Sequence, residues 1–148
     1  MPGVSAAVEI ARPPEDAFAV VADPERRRRL LPDNFRDVQI VSETASGPGT
    51  VMRFTIAMPG KDHTSEVEVT AWEPPHSLTE RARGDSPYTM RWSFEPAPEG
   101  ARVSVRMEYE SSGSVFHRLV ERWFGRRALE QSLMVELLRL KQTLEADE

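Results

Sequence analysis

The order of its parts constrains this chain more than any motif does. Roughly a hundred residues alternate apolar and polar side chains at every second position, and one helical pattern then runs from Val115 to Leu144. A terminal helix of that length needs a surface to lie on. The strands supply one, because a period of two puts the apolar side chains on one face of an antiparallel sheet and the charged ones on the other. A curved sheet wrapped round a single helix leaves a cavity between them, and that cavity is where function is expected.

Val4, Ala6, Val8 and Ile10 mark a first strand that stops at Arg12-Pro13-Pro14. A proline in the first turn followed by Glu15 and Asp16 predicts a short helix over Pro14 to Ala22, with Phe18 and Val21 inward. Asp23-Pro24 breaks it, and a second short helix carries Arg26 to Arg29 toward Leu30-Leu31-Pro32. This arginine run is expected to be a solvated face. Strands follow around Val38 and Ile40, over Met52, Phe54, Ile56 and Met58, and over Val67, Val69 and Ala71. After Glu73-Pro74-Pro75-His76, the inward phase holds Leu78, Glu80 and Ala82, then Tyr88, Met90, Trp92 and Phe94. A turn from Pro96 to Gly100 leads to Val103, Val105, Met107 and Tyr109. The opposite phase carries Glu66, Glu68, Arg81, Arg83, Arg91, Arg102, Arg106 and Glu108, which suits a solvated sheet face with cross-strand ion pairs.

With 148 residues, 39% of them hydrophobic and 29% charged, the chain is expected to form one globular domain, 1–148. No stretch has the length and apolarity of a membrane span, and MPGVSAAVEIARPP lacks the pattern of a secretion signal, so a cytoplasmic protein without stable membrane insertion is expected. The absence of cysteine excludes disulfides, thiolate zinc and a cysteine nucleophile. His63, His76 and His117 show no ligand spacing, so no metal is expected. A net charge of −5 argues against a nucleic-acid partner.

Ile10-Ala11-Arg12-Pro13-Pro14-Glu15-Asp16-Ala17-Phe18 leading to Asp23-Pro24, the turn Glu73-Pro74-Pro75 with Leu78 after it, Trp92-Ser93-Phe94-Glu95-Pro96, and the terminal Leu137 to Glu145 together resemble the START-like polyketide cyclase/dehydrase superfamily. The resemblance implies an α+β helix-grip fold: a seven-stranded curved antiparallel sheet round a long C-terminal helix, with two short helices after the first strand. It also implies an elongated apolar pocket between sheet and helix, which makes Phe54, Ile56, Val67, Val69, Tyr88, Met90, Trp92 and Trp123 ligand-lining as well as core residues. These are framework positions, and the superfamily includes cyclases, hydrolases, lipid carriers and plain ligand binders.

Projected at roughly 100° per residue, the terminal helix aligns Leu119, Trp123, Leu133, Leu137, Leu140 and Leu144, and Arg126 and Glu130 fall in the same stripe. If the helix roofs the cavity there, as the resemblance implies, Arg126 faces the ligand and can hold a carboxylate or enolate. The alternative is a solvated pair or a dimer contact. Glu80, inward between Leu78 and Ala82, is the second candidate for proton transfer, unless an edge or a bulge turns it to solvent. The catalytic candidates are therefore Arg126, Glu80 and Glu130. No nucleophile elbow, phosphate-cradling loop or inward lysine is present.

Two functions remain open on these grounds, both with a small apolar or amphipathic molecule as partner and no cofactor. One is ligand binding or carriage by a monomer or homodimer; the other is a polyketide cyclase/aromatase-like enzyme doing acid–base chemistry on a bound carbonyl compound. A third reading, an interaction module with a filled core, would leave no cavity.

Overall fold

The computed structural model describes residues 3–57, 60, 62–83, 87–109 and 125–146, with the side chains of 125 and 126 excepted. Strand β1 (Gly3–Ile10) is followed by α1 (Pro14–Ala22), α2 (Pro24–Arg27) and a 3-10 turn over Arg28–Leu30. Strands β2 (Phe35–Ile40), β3 (Val51–Ile56), β4 (His63–Glu73), β5 (Ser77–Arg83), β6 (Tyr88–Ala97) and β7 (Gly100–Tyr109) come next, and α3 (Gly125–Glu145) is last. The strands form one antiparallel sheet in the order β1-β7-β6-β5-β4-β3-β2. This is the expected helix-grip arrangement. The part of the predicted terminal helix from Val115 to Phe124 lies outside the described residues.

The short helices begin where local chemistry says they should. Pro14 opens α1 with Glu15 and Asp16 in its first turn, complementing the positive end of the helix. Asp23 ends α1 and caps α2, its side chain accepting from the Glu25 amide at 3.0 Å, and Pro24 takes the first helical position. At the far end of the sheet, Gly100 starts β7 where a Cβ would sit 2.3 Å from the Ile10 carbonyl oxygen. Only glycine permits that approach of hairpin to β1.

Two bulges interrupt the register, one between Arg36 and Gln39, the other between Val69 and Ala71. The second changes which side chains point in. Beyond it Trp72 meets the core, edge-to-face on Phe18 with centroids 5.2 Å apart, while Ala71 is exposed. The expected inward phase of Ala71 is thus corrected: one extra residue reverses the alternation.

Among the described residues, burial falls into two apolar clusters. The larger joins α1, α3, β1 and the middle of the sheet, with Phe18, Trp92, Phe94, Val103, Leu133, Leu137 and Leu140 at its centre. The smaller gathers Met52, Phe54, Val67 and Ala82, with Phe35, Val38 and Ile56 packed against it. Tyr88 borders both. Helix α3 is secured at its C-terminal end by Lys141, which donates to the Glu9 carbonyl at 2.8 Å, and by Glu145, which accepts from the Ala11 amide at 3.0 Å. Farther up the helix, Arg139 donates to Asp33 at 2.8 Å and to the Leu31 carbonyl.

The outer face of the sheet carries the expected charges. Arg53 pairs with Glu66 at 2.7 Å, Arg106 with Glu108 at 3.0 Å, and Arg83 with Glu68. Arg81, Arg91 and Arg102 are exposed on the same face.

Candidate functional site: an ion cluster beside an apolar cavity

A cavity of about 80 Å³ lies between the two apolar clusters. The smaller cluster contributes Met52, Phe54 and Val67 to its wall, the larger contributes Met90, Met107 and Leu133, and Leu31, Phe35, Ile56 and Leu129 complete the apolar lining among the described residues. Its remaining wall is polar. Arg27 from α2, Glu80 from β5, Tyr88 from β6, and Ser132 and Glu136 from α3 converge there.

Arg27 holds this wall together. It donates from Nη1 to Glu80 Oε1 at 2.8 Å and from Nε to Glu136 Oε1 at 3.2 Å, with Nη2 also 3.2 Å from that oxygen. Its guanidinium carbon stands 4.8 Å from the centroid of the Trp92 ring, a cation–π contact shielded from water. The three charged residues are between 4% and 7% exposed, so the cluster is a true interior site. An isolated charge there would be untenable, and mutual pairing is what permits ionisation.

The three groups respond differently to this setting. Burial pushes the Glu136 carboxyl above its ordinary value; Arg27 opposes the shift and Glu80 adds to it. Burial also works against the charge on Arg27, but the two carboxylates outweigh it and leave the guanidinium more firmly protonated than usual. The Tyr88 hydroxyl is raised by burial and by the negative charge of Glu80 and Glu136, and it shares a hydrogen bond with Ser65. One guanidinium therefore faces two carboxylates, and burial lets Glu136 keep a proton to higher pH than an ordinary carboxyl does. A buried carboxyl next to open space can give or accept that proton.

Of the residues expected to face a ligand, Phe54, Ile56, Val67, Tyr88 and Met90 line the cavity. Trp92 is fully buried beneath Arg27, and Val69 packs against the larger cluster; neither is among the residues lining this cavity. Glu80 faces inward. Glu130, expected on the buried stripe of α3, is exposed, which corrects that projection. Trp123 and the Arg126 side chain lie outside the described residues.

Two members of the cluster escape a reading by local pattern. Arg27 sits in the arginine run expected to be solvated, and while Arg26, Arg28 and Arg29 are exposed, Arg27 is buried. The signal available was its spacing, three residues before Leu30 and four before Leu31, which places it on their side of a helical turn. Glu136 stands three residues after Leu133 and four before Leu140, on the flank of the stripe opposite Glu130. The helix buries that flank because α2 and the following turn lie against it and supply a cation.

Comparison with known proteins agrees with this architecture. A Mycobacterium tuberculosis protein, the uncharacterized protein Rv0088, is 29% identical in a match covering 76% of this chain and 50% of the relative, so the chain spans about half the length of that protein. Among solved structures, the KanY protein (ms6282) superposes with a TM-score of 0.82 at 20% identity, covering 97% of each chain. A norcoclaurine synthase point mutant from Thalictrum, in complex with a transition-state analogue, superposes with a TM-score of 0.76 at 17% identity, covering 99% of this chain and 96% of that one. At such identities the likeness is one of fold. The family model described as polyketide cyclase/dehydrase and lipid transport matches residues 1–145, nearly the whole chain, and the protein belongs to that family.

Proposed function

We propose that residues 1–148 act as a ligand-binding domain that takes a small apolar or amphipathic molecule into the cavity between sheet and α3. The observation that carries this reading is the composition of the cavity wall: among the described residues, ten apolar side chains on one side and the Arg27–Glu80–Glu136 cluster on the other. Apolar walls with a few convergent polar groups are the usual makeup of a small-molecule site. At about 80 Å³ the space is smaller than an ordinary drug-sized pocket, so the ligand is compact or is admitted by rearrangement of Met52, Met90 and Met107.

Native mass spectrometry of the protein purified without added ligand tests the reading, alongside a Met52→Trp variant that fills the wall. The expected result is a retained small molecule in the wild type and its loss in a variant that keeps its circular dichroism. Equal retention in both would remove the cavity as the binding site.

A second reading, acid–base catalysis on a bound carbonyl compound, is favoured by one feature, the Glu136 carboxyl in the cavity wall, whose affinity for a proton is raised by burial. In that reading Glu136 donates to the carbonyl oxygen as the new bond forms. Turnover of a poly-β-keto substrate that vanishes in Glu136→Gln would support it; turnover unchanged in that variant would dismiss it.

A further inference from the structure

We infer that the cavity selects a ligand whose polar end is a protonated amine and rejects one that ends in a carboxylate. The inference rests on ligand binding in this cavity and adds the chemistry of the head group. An arginine in an apolar pocket ordinarily suggests an anionic ligand, because its planar fork matches a carboxylate. Here the fork is already engaged. Nε and Nη2 address Glu136, Nη1 addresses Glu80, and the guanidinium lies over Trp92.

The charge count points the same way. Arg27 is the sole cation among the described residues of the lining, and it faces two carboxylates. A ligand carboxylate would bring a third negative group against one guanidinium in a buried site. An ammonium group instead completes a two-against-two arrangement, and a carboxylate can accept from it while still accepting from arginine. The net charge of −5 acts in the same direction, drawing cations toward the protein from a distance.

The test is calorimetric titration at about pH 7.5 with three probes that share one chain and differ only at the end: hexylamine, hexan-1-ol and hexanoate. Hexylamine is expected to bind about tenfold or more tighter than hexan-1-ol, with hexanoate weakest, as for a hydrogen bond to a charged group. In Glu136→Gln the amine-to-alcohol preference is expected to fall by about tenfold. Glu80→Gln provides the same comparison should that variant fail to fold, and the ratio within one variant is insensitive to its overall stability. Binding of hexan-1-ol or hexanoate as tightly as the amine would overturn the head-group inference and leave ligand binding standing. Failure of all three to bind would overturn both.

Discussion

The outer face of the sheet and the wall of the cavity use the same ions at the same distances. Arg53 and Glu66 meet at 2.7 Å outside, and Arg27 and Glu80 meet at 2.8 Å inside. Their side chains differ in exposure, 49% and 30% for the first pair, 7% and 9% for the second. Distance therefore does not separate them; solvent does. Outside, water screens the attraction and would solvate either ion alone, so the pair gains little. Inside, each ion depends on its partner, and the pair matters chiefly because breaking it strands a charge. A surface pair is thus dispensable, whereas the buried cluster is both a structural joint between α2, β5 and α3 and a source of chemistry.

The largest effect expected from this contrast is that of Arg27→Met, which keeps an apolar stem but leaves Glu80 and Glu136 facing each other without a cation. A loss of about 3–5 kcal/mol is expected in denaturant unfolding near neutral pH, with a smaller loss in acid, where the carboxylates can protonate. A loss below about 1 kcal/mol at neutral pH would erase the distinction between the two regions.

A second, intermediate effect is a pH dependence carried by Glu136, which faces Arg27 from α2, Glu80 from β5 and Tyr88 from β6, with Arg139 on its own helix. Its folded-state value lies above the ordinary 4.5, so between the two values the folded protein holds a proton that the unfolded chain has already released. That contribution to stability is full below about 4.5 and is lost as pH rises through the raised value. Glutamine cannot titrate. Glu136→Gln should therefore gain stability relative to wild type as pH rises across that window, measured by unfolding at matched pH values. A constant or opposite difference would refute the assignment of the proton to Glu136.

The smallest effect belongs to the outer face. Arg53→Ala should change stability by less than about 1 kcal/mol, and added salt should shrink that change further. A loss of several kcal/mol would show that the outer pairs are not weakened by solvent as the comparison requires.

Much of the fold was legible because its signals are local. The strand alternation, the Pro14 helix start, the break at Asp23-Pro24 and the Leu133–Leu137–Leu140–Leu144 stripe each depend on residues a few positions apart. The site was less legible. Glu80 stands out as a charge in an inward phase, but its partner sits in an arginine run whose local pattern is that of a solvated face. On α3, Glu130 and Glu136 flank the same stripe, and nothing within the helix says which flank meets a cation. Trp72 gives the same lesson on a strand, since the bulge that turns it inward lies in the pairing of β4 with β5.

By itself the sequence determined the elements, their order and the apolar face of each, because backbone periodicity and capping are decided within a turn or two of chain. Tertiary structure alone decided that Arg27 would leave solvent to meet Glu80, 53 residues away, and Glu136, 109 residues away. The reason is electrostatic. A charge can enter an apolar interior only where the fold delivers its counter-charges to the same point, and that delivery is a property of the packed whole.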